Sequence, residues 1–213
     1  GLMNVQSIEL FKFDRRNMGT VYYVPLLVWC VSALLIWQAS TEIDSYMFSF
    51  VVIQGIFIPF SCWHVLFRYS DLFEDGAFET LSPYYQKYVW LDLVRYTLLN
   101  LTAFSLLLIM IYFKFGSIVF SLILLVHLTL LVVFYVCVGL TLILLCKSIE
   151  VALTIISIYT VIEVVTEGTF MPWPRIFIFL PPYWDVGIQL KFVFIIMCVV
   201  VMLISLPRLL RKD

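Results

Sequence analysis

Charge is scarce in this sequence of 213 residues. Only 13% of its residues are charged, whereas 63% are hydrophobic and the mean hydropathy is +1.07. A soluble domain is roughly one quarter charged and one half apolar. The composition therefore excludes an ordinary soluble domain and predicts an integral membrane protein. The net charge of −1 says nothing about a nucleic-acid partner, and no basic patch suggests one, so none is expected.

Closely spaced glycines and catalytic motifs are also missing. The eight glycines all stand far apart, so a G-x-x-x-x-G-K-[ST] phosphate loop cannot occur in this chain. Neither a G-x-S-x-G nor an H-E-x-x-H motif is present. The five cysteines lie in apolar runs without a C-x-x-C pair, which favours free packing thiols over disulfides or a metal site. We expect no enzyme activity and no cofactor on this chain.

What the sequence has is a series of apolar runs. Six of them predict transmembrane helices, at about residues 21–39, 46–67, 93–113, 118–146, 151–166 and 191–206. Pro59 lies inside the second run and predicts a kink there. The fourth run has 29 residues, more than the roughly 20 that cross a bilayer, so it must tilt, bend near Gly139 or project. The predicted fold is a single all-α transmembrane domain over residues 1–213.

Two further segments have membrane character without being spans. Within residues 4–18, Val5, Ile8 and Phe11 recur every three residues among charged neighbours, which predicts a helix lying in the membrane interface. Residues 167–190 are apolar and aromatic, but four prolines exclude a continuous span. We expect two short re-entrant helices there, because irregular backbone at membrane depth must be buried against protein or a water-filled cavity.

The basic residues predict the orientation of the six spans. A layout with both termini on one side places ten lysines and arginines there and leaves three on the other side. The three are Lys114, Arg175 and Lys191. Because lysine and arginine are enriched in cytoplasmic loops, both termini are predicted to be cytoplasmic. The expected location is the cell inner or plasma membrane, with several passes.

A few polar residues stand out from the apolar background. His127 lies inside the fourth run, where a hydrogen-bonded packing role is favoured over a ligand or proton-relay role. Glu163 lies near the outer end of the fifth run and either lines a pathway or subunit contact or reaches the outer interface. Asp92 and Arg95, one helical turn apart, predict a local ion pair.

The longest polar interruption covers residues 68–90 and contains six of the 27 charged residues. Within it the sequence Glu74-Asp-Gly76-Ala-Phe-Glu79-Thr-Leu81 is followed by Ser82-Pro83. With an amphipathic N-terminal helix, six spans and a broken segment ending Leu180-Pro-Pro-Tyr-Trp184, this pattern resembles the ABC-2 type permeases. These are the transmembrane subunits of type V ABC exporters, and the resemblance covers essentially the whole chain.

The resemblance implies that residues 68–90 form a cytoplasmic coupling helix, between spans two and three, that docks on a separate ATPase. The residues implied in this coupling are Asp71, Glu74, Asp75, Gly76, Glu79 and Leu81. ATP and Mg²⁺ would be bound by the ATPase subunits. A second permease copy or a paralogue would complete the assembly, with membrane lipids around it. Glu163, His127 and Trp173 would line the pathway or the contact between the two permeases.

The cargo is less well indicated than the class. A small permease rich in Phe, Tyr and Trp suits an amphipathic or hydrophobic cargo such as a peptide, toxin or drug. A cytochrome c maturation permease of the haem-exporter type is the alternative within the family, because its corresponding stretch has a similar Asp-Gly-x-x-Glu-x-Leu pattern. A membrane assembly factor or sensor without transport activity is the alternative from another class.

Overall fold

The computed structural model describes residues 2–42, 45–73, 77–169 and 175–211, with the side chains of the first helix from Ile8 onward. All regular elements in these ranges are helical. The eight α-helices are α1 Leu2–Met18, α2 Val24–Gln38, α3 Tyr46–Val52, α4 Trp63–Ser70, α5 Ala77–Phe115, α6 Leu122–Cys146, α7 Ile149–Val165 and α8 Val186–Leu209.

The chain is a multi-pass membrane protein. Five helical stretches in the described ranges are long and apolar enough to cross a membrane: Ile8–Gln38, Tyr46–Phe73, Ala77–Phe115, Leu122–Cys146 and Val186–Leu209. The predicted fifth span, at about residues 151–166, corresponds to α7. With 17 residues, α7 is about 26 Å long and falls short of the ~30 Å hydrocarbon core.

The centre of the bundle consists of α6 and the irregular helical path from α3 to α4. In the most apolar 18 residues of each stretch, the buried share is 67% for Tyr46–Phe73 and 56% for Leu122–Cys146. The same share is only 11% for Ile8–Gln38 and 11% for Val186–Leu209. The helices α2 and α8 therefore lie at the periphery and expose apolar side chains outward. Such surfaces are expected where lipid, rather than water, is the solvent.

The predicted second span is not a regular helix. A π-helical turn at Ile53–Phe57 and a 3₁₀ turn at Ile58–Cys62 separate α3 from α4. Pro59 lies in the 3₁₀ turn, where its missing N–H cannot support an α-helical hydrogen bond. A change of helix type over ten residues therefore lies where the kink was predicted, and the bend itself stays a prediction.

The predicted fourth span keeps a single uninterrupted helix and does not break near Gly139. It also starts later than predicted, because Ser117–Val119 forms a separate 3₁₀ turn before α6. Gly139 has a packing role instead. A Cβ atom there would lie 2.4 Å from Cβ of Cys62, so only glycine permits this approach of α6 to the 3₁₀ turn.

The polar stretch 68–90 does not form a separate coupling helix in its described part. Arg68 to Ser70 end α4, Asp71–Phe73 forms a 3₁₀ turn, and residues from Ala77 onward already belong to α5. With 39 residues, α5 is about 58 Å long, almost twice the ~30 Å hydrocarbon core. This length exceeds what a bilayer crossing needs, and the polar residues 77–90 belong to the same continuous helix as the third apolar run.

The predicted re-entrant helices are absent from the described part of residues 167–190. Residues 175–185 contain no helix, and Ile176, Phe177 and Ile178 are buried with non-helical backbone. The prediction that irregular backbone at this position is buried against protein is confirmed, whereas the prediction of two helical pieces is wrong for this part.

Contacts between helix termini define two ends of the bundle. At one end, called the Asp14 end, Ser82 and Gln86 in the first turns of α5 donate hydrogen bonds to the carbonyl of Leu210, just after α8. At the opposite end, called the Lys114 end, the Lys114 ammonium donates to the carbonyls of Ile36 and Ala39 at 2.6 and 2.5 Å. This cation satisfies carbonyls left free by the last turn of α2.

Candidate functional site

Four charged side chains form a buried cluster where α1, α4 and α5 meet at the Asp14 end. This ionic cluster consists of Asp14, Arg68, Asp92 and Arg95. Each residue is less than 5% exposed. Two carboxylates balance two guanidinium groups, so the charge of the cluster sums to zero.

The cluster is a closed ring of ion pairs. Asp92 accepts hydrogen bonds from Nε of Arg68 at 2.7 Å and from Nε of Arg95 at 2.9 Å. Asp14 accepts from Nη1 of Arg68 and from Nη2 of Arg95. Each carboxylate bridges both arginines, so removing one residue breaks two pairs at once. A buried charge left without its partner is costly, because water cannot replace that partner.

Aromatic residues surround the ionic cluster. The Tyr69 hydroxyl donates to Asp92 at 3.1 Å, and the Tyr96 hydroxyl donates to Asp14. The Arg95 guanidinium carbon lies 4.4 Å from the ring centroid of Tyr96 and 4.9 Å from that of Phe11. These contacts orient the charged groups and add cation–π attraction in a site that excludes water.

The sequence predicted part of this cluster. The Asp92–Arg95 pair is confirmed, but Asp14 and Arg68 were not singled out. Asp14 follows Leu10 by four residues and so lies on the same face of α1. Leu10 is 8% exposed and Ile8 is 56% exposed, so the buried face of α1 differs from the one that Ile8 predicts. An acidic residue on the same helix face as a buried apolar residue was the sequence feature that could have indicated a buried ion-pair partner.

Three of the predicted coupling residues lie in the described part of the chain: Asp71, Glu79 and Leu81. Asp71 accepts a hydrogen bond from Nδ2 of Asn17 at 2.6 Å, which links the end of α1 to the turn after α4. Glu79 is exposed on the first turn of α5, and Leu81 is half-buried against the core. Three further predicted coupling residues lie outside the described residues: Glu74, Asp75 and Gly76.

A second group of polar side chains holds the non-helical residues 176–178 inside the bundle. This polar cradle consists of Gln54 from the π-helical turn, His127 from α6, Glu163 from α7 and Lys191 from α8. Gln54 makes two bonds with Ile178, accepting from its N–H at 2.9 Å and donating to its carbonyl at 2.7 Å. The carboxamide therefore replaces the neighbouring strand that an extended backbone would otherwise pair with.

The other three cradle residues form hydrogen bonds with backbone atoms of Ile176 and Phe177. Glu163 accepts from the Phe177 N–H at 2.7 Å, and Lys191 donates to the Phe177 carbonyl at 2.5 Å. His127 donates through Nε2 to the Ile176 carbonyl at 2.6 Å, because a carbonyl can only accept. Side chains from four elements thus permit non-helical backbone at membrane depth.

Two of the predicted site residues, His127 and Glu163, belong to the polar cradle. His127 is a hydrogen-bonded packing residue, as predicted, and Glu163 is fully buried and does not reach an interface. Trp173 lies outside the described residues. That Glu163 and His127 line a pathway or a subunit contact stays a prediction. Gln54 and Lys191 were not predicted, although each is an isolated polar residue beside or within an apolar run.

No protein-family model, curated protein or solved structure matches the chain. The five cysteines are free. Within the described ranges, no group of three or more His, Cys, Asp or Glu side chains converges as a metal site would require.

Proposed function

We propose that this chain is the transmembrane permease subunit of an ATP-driven exporter, with ATP and Mg²⁺ bound by separate ATPase subunits. The observation that carries the proposal is the joining of the polar stretch 68–90 to the membrane helices. Residues 77–90 continue directly into the third span as α5, and the ionic cluster ties the root of this extension to α1 and α4. A force applied to the exposed first turns of α5 would therefore move three membrane elements together.

The proposed layout has six spans, with α7 as the fifth and both termini in the cytoplasm. The hydrogen bonds from Ser82 and Gln86 to the Leu210 carbonyl support it, because they bring the end of α8 beside the start of α5. The ten-to-three distribution of basic residues supports the orientation. In this layout the Asp14 end faces the cytoplasm and the Lys114 end faces outward.

The proposed assembly contains two permeases and two ATPase subunits. The sparsely buried faces of α2 and α7 support a contact with a second copy or a paralogue. The apolar residues exposed on these faces are Leu27, Val31, Leu34, Ile155, Ile158, Val161 and Ile162. An amphipathic or hydrophobic cargo, such as a peptide, toxin or drug, is the proposed substrate class, since the described interior contains few charges outside the ionic cluster and the polar cradle.

Co-purification with the ATPase tests this function. The chain, expressed in its native host, should retain a soluble ATPase through detergent purification. Glu79→Lys reverses a charge on the exposed start of α5 and should reduce ATPase retention at least fivefold, which is about 1 kcal/mol. Glu150→Lys, the same charge change on the exposed start of α7, is the matched control and should retain the ATPase.

The result also separates an exporter from an assembly factor or sensor. An exporter should stimulate ATP hydrolysis by its partner and lose export activity with Glu79→Lys. If no ATPase co-purifies and Glu79→Lys leaves the cellular phenotype unchanged, the exporter proposal is wrong.

A further inference from the structure

An open groove lies between α2 and α5, on the surface that faces the membrane. Its volume is about 330 Å³, and its lining is almost entirely apolar. The lining residues run from Tyr22 to Trp29 along one wall and from Leu99 to Leu106 along the other. Each wall covers about two helical turns, or roughly 10 Å. Trp29 closes the deep end by donating a hydrogen bond from Nε1 to the Ala103 carbonyl at 2.9 Å.

The mouth of this groove is surrounded by lipid-facing residues. Leu26 and Leu106 line it and are 57% and 52% exposed, and both walls belong to helices that are able to cross a membrane. An unfilled apolar gap in such a surface loses dispersion contacts on one side. Hydrocarbon is therefore the medium that fills the groove.

The end of the groove nearest the ionic cluster is polar. His64 forms part of the lining and is 4% exposed. Its Nε2 donates to the Tyr22 carbonyl at 3.1 Å, so its Nδ1 carries the acceptor lone pair. That Nδ1 atom has no hydrogen-bond partner among the described residues. An apolar groove with a polar end matches the shape of an amphiphile.

Basic residues come just before this polar end in the chain. Arg15 and Arg16 are exposed in the last turn of α1, and Tyr22 of the groove wall belongs to the 3₁₀ turn Gly19–Tyr23 that directly follows that helix. Asp14, their neighbour, cannot neutralise them because its carboxylate is bound within the ionic cluster. Exposed arginines next to a membrane surface attract phosphate headgroups.

We propose that this groove binds an anionic phospholipid, with one acyl chain between α2 and α5 and the phosphate against Arg15 and Arg16. The bound lipid would also contact a side chain that packs against the aromatic residues around the ionic cluster. The His64 ring stacks on Tyr96 with centroids 5.1 Å apart, and the Tyr96 hydroxyl donates to Asp14. This site does not depend on the permease function.

Native mass spectrometry of the purified full-length chain tests the site, with phosphatidylglycerol and phosphatidylcholine of identical acyl chains as probes. Phosphatidylglycerol should bind more tightly. The double variant Arg15→Gln with Arg16→Gln should weaken its binding about fivefold for each arginine. The matched control, Arg208→Gln with Arg211→Gln, removes two exposed charges at the same end of the bundle and should weaken binding less than twofold.

Filling the groove supplies an independent test. Ala103→Phe should block binding of both lipids, and Leu106→Trp at the mouth provides a second variant if Ala103→Phe does not fold. Ile109→Phe places the same bulk on an exposed part of α5 outside the groove lining and should leave binding unchanged. Thermal unfolding of each variant verifies that it is folded.

Three results would overturn the proposal. The first is equal affinity for the two lipids with no effect of the arginine changes, which would indicate a neutral lipid in the groove. The second is unchanged phosphatidylglycerol binding by folded Ala103→Phe and Leu106→Trp. The third is a disulfide between two copies of an Ala103→Cys variant in native membranes, which would show that a second copy covers the groove.

Discussion

Gly139 fixes how closely the two central elements of the bundle approach each other. Its α-carbon faces the 3₁₀ turn at Ile58–Cys62, and an added Cβ would lie 2.4 Å from the Cys62 Cβ and 3.3 Å from the Cys62 Cα. Small residues allow this approach, which is one of the main sources of helix association where lipid removes the hydrophobic driving force. A rotamer change cannot relieve this contact, because the position of the Cys62 Cβ atom is fixed by the backbone.

Replacing Gly139 with alanine should therefore destabilise the protein. We expect Gly139→Ala to lower the free energy of unfolding by about 1–3 kcal/mol, the usual cost of overpacking. Gly187→Ala is the matched control, because its Cβ would be 3.6 Å from the nearest neighbour, an ordinary contact. Thermal unfolding in detergent measures both. Equal midpoints for the two variants would contradict the close approach at Gly139.

Gln54 shows how a single side chain stands in for secondary structure. Its carboxamide forms the donor and acceptor pair that a neighbouring strand would supply to Ile178. Each unsatisfied peptide group in a membrane interior costs several kcal/mol, so an extended segment there needs such partners. Hydrogen bonding to residues 176–178 is therefore sufficient to explain why polar side chains occur at the cradle positions.

The ionic cluster joins α1, α4 and α5, three elements that are distant in sequence. If its charges hold these helices together, removing one of them should have a large effect. We expect Asp14→Leu to lower the free energy of unfolding by about 3–5 kcal/mol, because Arg68 and Arg95 both lose a buried partner. Lys12→Leu, which removes an exposed charge on the same helix, should change it by less than about 0.5 kcal/mol.

A double-mutant cycle distinguishes pairing from simple loss of packing. Asp14→Leu combined with Arg95→Leu removes one charge of each sign and should be less destabilising than the sum of the two single changes. Urea unfolding in detergent gives the required free energies. Strict additivity of the two changes would contradict a coupled ion-pair ring.

The continuous length of α5 suits the transmission of force. A single helix runs from residues that project beyond the membrane to Lys114 at the opposite end. A hinge between a coupling helix and the third span would absorb part of any displacement applied to it. Between Ala77 and Phe115 the helix is uninterrupted, including at Pro83, where one backbone hydrogen bond is missing, so the turns before the span and the span itself form one continuous helix.

The path of the chain through the bilayer can be tested with reporter fusions in a bacterial host. In the six-span layout, a fluorescent protein fused after Lys147 or Leu210 should fluoresce, because both positions are cytoplasmic. Alkaline phosphatase fused after Gly116 or Gly168 should be active, because both positions are outside. If α7 did not cross, the fusion after Gly168 would fluoresce and the one after Leu210 would not. The fusion after Lys147 is the common control.

Several features of this protein follow from local sequence properties. Long, nearly uncharged apolar runs predicted the five helical stretches that are able to cross a membrane, because an apolar helix of about 20 residues matches the hydrocarbon core. The proline in the second run predicted a departure from α-helix, and the spacing of Asp92 and Arg95 predicted their pair. The proline-broken segment predicted buried irregular backbone, because lipid cannot satisfy peptide groups.

The other features depend on contacts between residues far apart in the chain. The pairing of Asp14 and Arg68, the hold of Gln54 and Lys191 on residues 176–178, and the approach of Gly139 to Cys62 each join different helices. The spacing of residues along one helix predicts its own neighbours and not the face that another helix will present. The continuity of α5 through Pro83 was likewise unpredicted, because the helix on either side outweighs the one hydrogen bond that proline removes.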